Sequence, residues 1–166
     1  KPNANFDPRY RRAVGETVRQ WFGQQLSNPF DGHSSGLVKS VMSYIELVII
    51  ETHQGEDNML ALVELERKRL ALSQRNPIRD TLPLVDAVSE PSFHSRTTLA
   101  FAELRSEIGD TPLIATVKSL WLQPQSEAEP ATARDLIASL KNNTSPNHHR
   151  LIDSLFLDEP IQVAKH

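Results

Sequence analysis

Histidines and carboxylates are the residues of this sequence that could do chemistry. Glu90 lies four residues before His94, near a predicted helix start, and the pair His148-His149 follows much later in the chain. Imidazole and carboxylate groups suit zinc, nickel or manganese when one coordination position stays open for a ligand. The alternative is a structural role, in which His94 packs or caps near the helix start and the later pair lies in a solvated first turn.

The segment 90–94 resembles the metal-binding motif in the helical ligand-binding domain of GntR-class transcription regulators. That motif has an acidic residue followed by two residues and then Phe-His, and Glu90 and Phe93-His94 match it. The later His-Arg-x-aliphatic pattern of the family resembles residues 149–152. The resemblance implies a helical sensor domain that binds a divalent metal or a small ligand. The metal ligands that it implies are Glu90, His94, His149 and His166.

The local motifs that usually accompany catalysis are missing from this sequence. It contains no GxxxxGKS/T or GxGxxG loop for phosphates and no GxSxG nucleophile elbow. It also contains no cysteine, which removes disulfides, thiolate nucleophiles and thiolate metal ligands. We therefore assign no catalytic residue and expect a protein that is not an enzyme. Catalytic carboxylates on a helical scaffold stay an alternative, because such residues can be distant in sequence.

Two features suit the binding of a partner protein. The first predicted helix carries four arginines, Arg11 among them, and this basic patch fits a phosphate or an acidic partner. Residues 28–30 form the tripeptide Asn-Pro-Phe that EH domains recognise as a turn with an inserted phenylalanine. The alternative is an ordinary turn whose phenylalanine packs on the protein. The predicted partner-binding residues are Arg9, Arg12, Arg19 and Phe30.

Composition indicates one globular domain of ordinary size. The chain has 166 residues, of which 39% are hydrophobic and 23% are charged, and its net charge is −3. The negative charge disfavours nucleic-acid binding, which depends on lysine and arginine contacts to phosphates. No apolar run approaches the roughly 18 residues that a transmembrane helix needs. The lack of cysteine favours the cytoplasm or another intracellular compartment. We leave open that the chain is a piece of a longer protein.

Proline and glycine positions predict where the helices begin and end. Asp, Asn, Thr or Ser precedes Pro8, Pro77, Pro112 and Pro146, which is typical of helix starts. Apolar spacing then predicts helices at 8–26, 37–52, 56–74, 92–108, from 112 onward, 131–141 and 146–156. Residues 27–36 are predicted to be a loop, and 123–130 a mobile acidic loop. Residues 37–52 are apolar over most of the helix circumference and are predicted to form the central helix.

These patterns predict an all-α protein with one domain over residues 1–166. The domain is predicted to be a single multi-helix bundle of about six to eight helices. Irregular packing like that of helical repeats stays an alternative. The function that we expect is protein–protein interaction through a face or groove of the bundle. The alternative is the ligand- or metal-binding sensor domain that the regulator resemblance implies. No cofactor is expected under the first hypothesis, and a divalent metal is expected under the second.

Overall fold

The computed structural model describes residues 7–26, 32–73, 82–122 and 131–159. These ranges contain seven α-helices and no β-strand, which confirms the all-α prediction. Within them, no helix combines the length and the apolarity needed to cross a bilayer. The helices are α1 (Pro8–Leu26), α2 (Gly32–Gln54), α3 (Glu56–Ser73), α4 (Phe93–Ile108), α5 (Asp110–Leu122), α6 (Ala133–Asn142) and α7 (His149–Phe156), with a 3₁₀ turn (Pro146–His148) before α7.

The helix starts predicted at Pro8, Pro112 and Pro146 are correct to within three residues. Pro8 opens α1, and the Asp7 carboxylate accepts a hydrogen bond from the Arg9 backbone N–H at 2.8 Å, as an N-cap residue should. Pro112 is the third residue of α5, which begins at Asp110. Pro146 opens the 3₁₀ turn rather than α7 itself. The start predicted at Pro77 and the loop predicted at 123–130 lie outside the described residues.

The loop predicted over residues 27–36 is wrong for its second half, because α2 already begins at Gly32. Two glycines in five residues disfavour a helix by roughly 1 kcal/mol each. Packing overrides this preference. Gly36 is buried, and a Cβ placed on it would lie 3.6 Å from the Val88 Cβ and 3.9 Å from the Ala133 Cβ. The start of α2 is therefore stabilised by segments that are distant in sequence.

Two glycines form the sharp connections between consecutive helices. Gly55 has a φ of +86° and is the single residue between α2 and α3. Gly109 has a φ of +73° between α4 and α5, and its N–H donates to the Arg105 carbonyl. Glycine adopts this left-handed backbone region without the strain that a Cβ introduces. Both positions agree with the helix ends predicted from sequence.

Contacts along α1 and α2 show that the two helices run antiparallel. The Arg11 side chain contacts Glu46 in the second half of α2, whereas Val18 clusters with Val38 near its start. Val14 and Met42 complete this small apolar cluster. It is distinct from the main core, and Tyr10 of α1 packs against both clusters.

Helices α2 and α4 run side by side in the same direction. His94 at the start of α4 faces Ser43, and Arg105 near its end contacts Glu51 at the end of α2. Because α3 turns back at Gly55, it runs antiparallel to both. Helix α2 contacts α1, α3, α4 and α6, and α4 contacts α2, α3, α5 and α7. The centre of the protein is therefore a pair of helices rather than α2 alone.

The sequence of α4 does not predict its central position, because several of its buried residues are polar. Thr97 and Thr98 have no exposed surface, and their hydroxyls donate to the backbone carbonyls of Phe93 and His94, one turn earlier. A threonine that satisfies its hydroxyl within its own helix can be buried without another polar partner. Helix α4 is therefore buried although its sequence is only weakly apolar.

Candidate functional site

A group of polar side chains joins the first four helices, with three buried charged members and a histidine ring that is 46% exposed. We call it the ion cluster, and it consists of Arg11 from α1, Glu46 from α2, Glu66 from α3 and His94 from α4. The Arg11 guanidinium donates to all three partners: Nε to Glu46 Oε2 at 3.4 Å, Nη1 to Glu66 Oε1, and Nη2 to His94 Nε2. The Arg11 and Glu46 side chains are 10% and 7% exposed, and that of Glu66 is fully buried. One guanidinium therefore connects four helices.

Neighbouring side chains satisfy most of the remaining polar atoms of the ion cluster. Glu66 accepts further hydrogen bonds from the Ser95 hydroxyl at 2.5 Å and from Arg69 Nη1 at 2.7 Å. His94 Nδ1 lies 3.4 Å from the Ser43 hydroxyl. Because Arg11 can only donate, His94 Nε2 must accept, which places the histidine proton on Nδ1.

The environment shifts the pKa values of Glu46, Glu66 and His94. Burial raises the pKa of Glu66, but the Ser95 hydrogen bond and the charges of Arg11 and Arg69 outweigh it and lower the pKa overall. Burial raises the pKa of Glu46, and Arg11 only partly opposes it. For His94, burial and the charge of Arg11 lower the pKa to about 4, so the ring is neutral at pH 7.

The geometry makes the ion cluster a structural junction rather than a reactive site. Both oxygens of Glu66 and both ring nitrogens of His94 have partners within it, so neither group is free to act as a general base. A metal at His94 Nε2 would have to displace a guanidinium. The sequence interpretation that placed Arg11 in an exposed basic patch is wrong, because this arginine turns inward toward carboxylates on α2 and α3.

The structure does not bring the predicted metal ligands together. Glu90 accepts from Arg96 Nη1 at 2.7 Å and from the Leu82 N–H at 3.0 Å, while His149 Nε2 donates to the Lys141 carbonyl at 3.0 Å. Among the residues described, no group of three or more His, Asp or Glu side chains could hold a metal ion. Glu90, His94 and His149 therefore form no common site. His166, the fourth predicted ligand, lies outside the described residues.

The predicted partner-binding residues are only partly described. Arg9 and Arg12 are exposed on α1, as the basic-patch hypothesis requires. Arg19 belongs to α1, but its side chain lies outside the description, and so does Phe30 with the rest of its tripeptide. Partner binding by these residues stays a prediction.

A second polar group, the Arg105 junction, fixes the turn between α4 and α5. Arg105 donates to Asp110 Oδ1 and Oδ2 at 2.7 Å each and to Glu51 on α2. The Tyr44 hydroxyl donates to Asp110 Oδ1 at 3.0 Å. The hydrogen bond from Arg105 lowers the pKa of Asp110, and burial together with the nearby Asp110 charge raises that of Tyr44. The side chains of Arg105, Asp110, Glu51 and Tyr44 thus all have hydrogen-bond partners within the protein.

A groove of about 660 Å³ lies between α3 and α4, beside the Arg105 junction. Its floor is apolar, and its rim carries carboxylates from both helices. Leu60 on the floor is 50% exposed, in contrast to the fully buried Leu62 two residues later. The floor residues are Met59, Leu60, Val63, Leu99 and Ala102, and the rim carboxylates are Glu56, Glu103 and Glu107.

Sequence reasoning missed this groove, although α3 contains a signal for it. Met59, Leu62 and Val63 pack against the main core, yet the exposed Leu60 extends the apolar surface round to a second side of the helix. A helix with two apolar sides must have a neighbour on each or leave one uncovered. Which side stays open depends on where α4 lies, and local spacing carries no information about that.

Comparison with known proteins adds no name to this arrangement. No family model, no curated protein and no solved structure gives a significant match to the chain. The class that the fold and the groove define is an all-α helical protein with an uncovered apolar groove, and functional inference rests on the geometry alone.

Proposed function

We propose that this chain is a helical protein-interaction module that binds a segment of a partner protein in the groove between α3 and α4. The observation that carries the proposal is the groove itself, with its apolar floor next to an acidic rim. Leu60, which lines the groove and is half exposed, keeps apolar surface in contact with water. Covering such surface contributes about 25 cal/mol for each Å² removed from water.

The alternatives receive less support from the described residues. In the ion cluster both oxygens of Glu66 and both ring nitrogens of His94 have partners, and in the Arg105 junction Asp110 is held by Arg105 and Tyr44, so these groups do not favour catalysis. Nucleic acid is a poor occupant, because the carboxylates of the rim would repel phosphates. A metal-binding sensor would need ligands that converge, and Glu90, His94 and His149 point to separate partners.

We infer an intracellular location for the module. The support is the lack of cysteine in the chain, which suits a reducing compartment. The exposed Arg9 and Arg12 offer a further contact surface on α1, to which the sequence-based hypothesis of an acidic partner still applies.

A peptide-display selection with two matched leucine variants tests the interaction. Leu60 and Leu72 lie on the same helix and are 50% and 61% exposed, but only Leu60 lines the groove. Peptides selected on the unmodified protein should lose binding to the Leu60→Lys variant by about tenfold or more, because a charge on the floor resists desolvation. They should bind the Leu72→Lys variant with unchanged affinity.

Circular dichroism should give the same helix content and unfolding midpoint for both variants, since both leucines are substantially exposed. If selection yields no binder, or only binders that tolerate Leu60→Lys, the groove is not a protein-binding site and the proposal is wrong.

A further inference from the structure

Among the described residues, the carboxylates on the rim of the groove form no ion pairs, in contrast to those of the ion cluster and the Arg105 junction. Arg105 is held by Glu51 and Asp110, and Arg67, the other basic residue at the groove, donates to Glu64 at 2.9 Å. Within the described part of the chain, Glu56, Glu103 and Glu107 form no ion pair, and all three are exposed. The groove therefore combines an apolar floor with uncompensated negative charge.

The placement of these carboxylates is unfavourable for the protein on its own. Glu103 and Glu107 are four residues apart on α4, where like charges repel each other. Glu107 also lies in the last turn of α4, close to the negative end of the helix dipole. Positive charge above this rim would relieve both effects, which indicates a cationic occupant.

The helices that line the groove also restrict the backbone conformation of an occupant. Hydrogen bonds along α3 and α4 occupy the backbone groups of both walls, so the groove offers no strand edge with which an extended peptide could pair. A helical occupant satisfies its own backbone and presents side chains at i, i+3, i+4 and i+7. The lining residues of α3 from Glu56 to Arg67 rise about 17 Å along the helix, equivalent to about three helical turns of an occupant.

From the apolar floor, the unpaired carboxylates and the helical walls, we infer that the occupant is a basic amphipathic helix of another protein. Its apolar stripe covers Leu60 and Leu99, and its lysines or arginines lie over Glu103 and Glu107. This inference rests on the proposed function and adds the conformation and charge of the partner segment.

A library of helical peptides tests the charge of the occupant. Leucines are fixed at i, i+3, i+4 and i+7, and the flanking positions are varied among lysine, glutamate, glutamine and serine. We expect selection on the unmodified protein to enrich lysine at the flanks. Affinity should fall severalfold between 50 and 500 mM NaCl, because salt screens exposed charge pairs. The double variant Glu103→Gln/Glu107→Gln should bind the selected peptides about tenfold more weakly, since rim charges contribute to attraction.

A control variant and the pattern of outcomes separate this inference from the proposed function. Glu16→Gln removes an exposed carboxylate of α1 that lies outside the groove lining, and it should leave affinity unchanged. Binders that need Leu60 but show no lysine enrichment and no effect of the double variant would overturn the basic-helix inference alone. Absence of any Leu60-dependent binder would overturn both. Lysine enrichment together with loss of binding in the double variant supports the inference.

Discussion

At the scale of single residues, Glu66 is the side chain on which the junction of the first four helices depends. Its side chain has no exposed surface, and its two oxygens accept from Arg11, Arg69 and Ser95. A carboxylate can be buried at this depth only if charged donors replace the lost water. Removing it leaves the guanidinium of Arg11 in the interior without its main partner.

We expect Glu66→Ala to lower the free energy of unfolding by about 3–5 kcal/mol, which is typical of breaking a buried ion pair from one side. The matched control is Glu64→Ala on the same helix. Its exposed pairs with Arg67 and Lys68 should contribute less than about 1 kcal/mol. Urea unfolding of both variants measures the difference, and equal losses would show that the junction is not a stabilising feature.

The lowered pKa of His94 predicts that stability falls as the pH is lowered below about 6.5. In that range the unfolded chain binds a proton at this histidine, whereas the folded protein does so only near its pKa of about 4. Proton binding therefore favours unfolding between these values, and the lowered pKa of Glu66 adds a loss in the same direction at more acidic pH.

Urea unfolding at pH 7.5, 6.0 and 5.0 measures this dependence. The variant His94→Asn should reduce the loss of stability between pH 7.5 and 5.0. The control His53→Asn changes an exposed histidine at the end of α2 and should keep the dependence of the unmodified protein. An unchanged slope in His94→Asn would contradict the lowered pKa of the half-exposed ring beside Arg11.

At the scale of helices, local sequence predicts the ends better than it predicts burial. Glycines with positive φ end α2 and α4, and Asp7 with Pro8 begins α1, because these effects act within one turn of helix. The early start of α2 and the burial of α4 depend on neighbours that are far away in sequence. For the same reason the groove and the ion cluster could not be predicted. Arg11 could be recognised as a cation, but not as a buried one.

Two glycine-to-alanine substitutions should have opposite effects on stability. At Gly36, inside α2, the new Cβ meets Val88 at ordinary contact distance, so Gly36→Ala should stabilise the protein by about 0.5–1 kcal/mol. At Gly55 nothing lies within 4 Å of the new Cβ, but the φ of +86° strains any L-residue, so Gly55→Ala should destabilise by about 1–2 kcal/mol. Thermal unfolding of both variants gives the signs. Matching signs would mean that backbone conformation does not control these positions.

At the scale of the whole molecule, α1 is attached by a small apolar patch, by Tyr10, which packs against both that patch and the main core, and by the ion pairs of Arg11. Its apolar patch, Val14 and Val18, packs on Val38 and Met42 apart from the main core, and Arg11 provides its charged link to the other helices. Helices α6 and α7 contribute to the main core instead, through residues such as Leu140 and Ile152. Loss of the Arg11 ion pairs should therefore destabilise α1 more than α6 and α7.

We expect Arg11→Ala to increase amide hydrogen exchange in α1 about tenfold or more. Exchange in α6 and α7 should change little, because the local opening of a helix breaks only the contacts of that helix. Arg12→Ala changes the exposed neighbour of Arg11 and serves as the control. Mass spectrometry of peptic fragments resolves the helices. Uniformly faster exchange across the protein would indicate that α1 opens only with global unfolding.

The sequence separation between Arg11 and its partners also has a consequence for biosynthesis. Its partners Glu46, Glu66 and His94 lie 35, 55 and 83 positions later. At roughly 5–20 residues per second, a ribosome adds Glu66 about 3–11 s and His94 about 4–17 s after Arg11. Until Glu46 follows, about 2–7 s after Arg11 at the same rate, the arginine must stay hydrated, because no partner carboxylate offsets the cost of burying it. The nascent chain therefore contains α1 well before α1 can dock completely, because complete docking requires the first turn of α4.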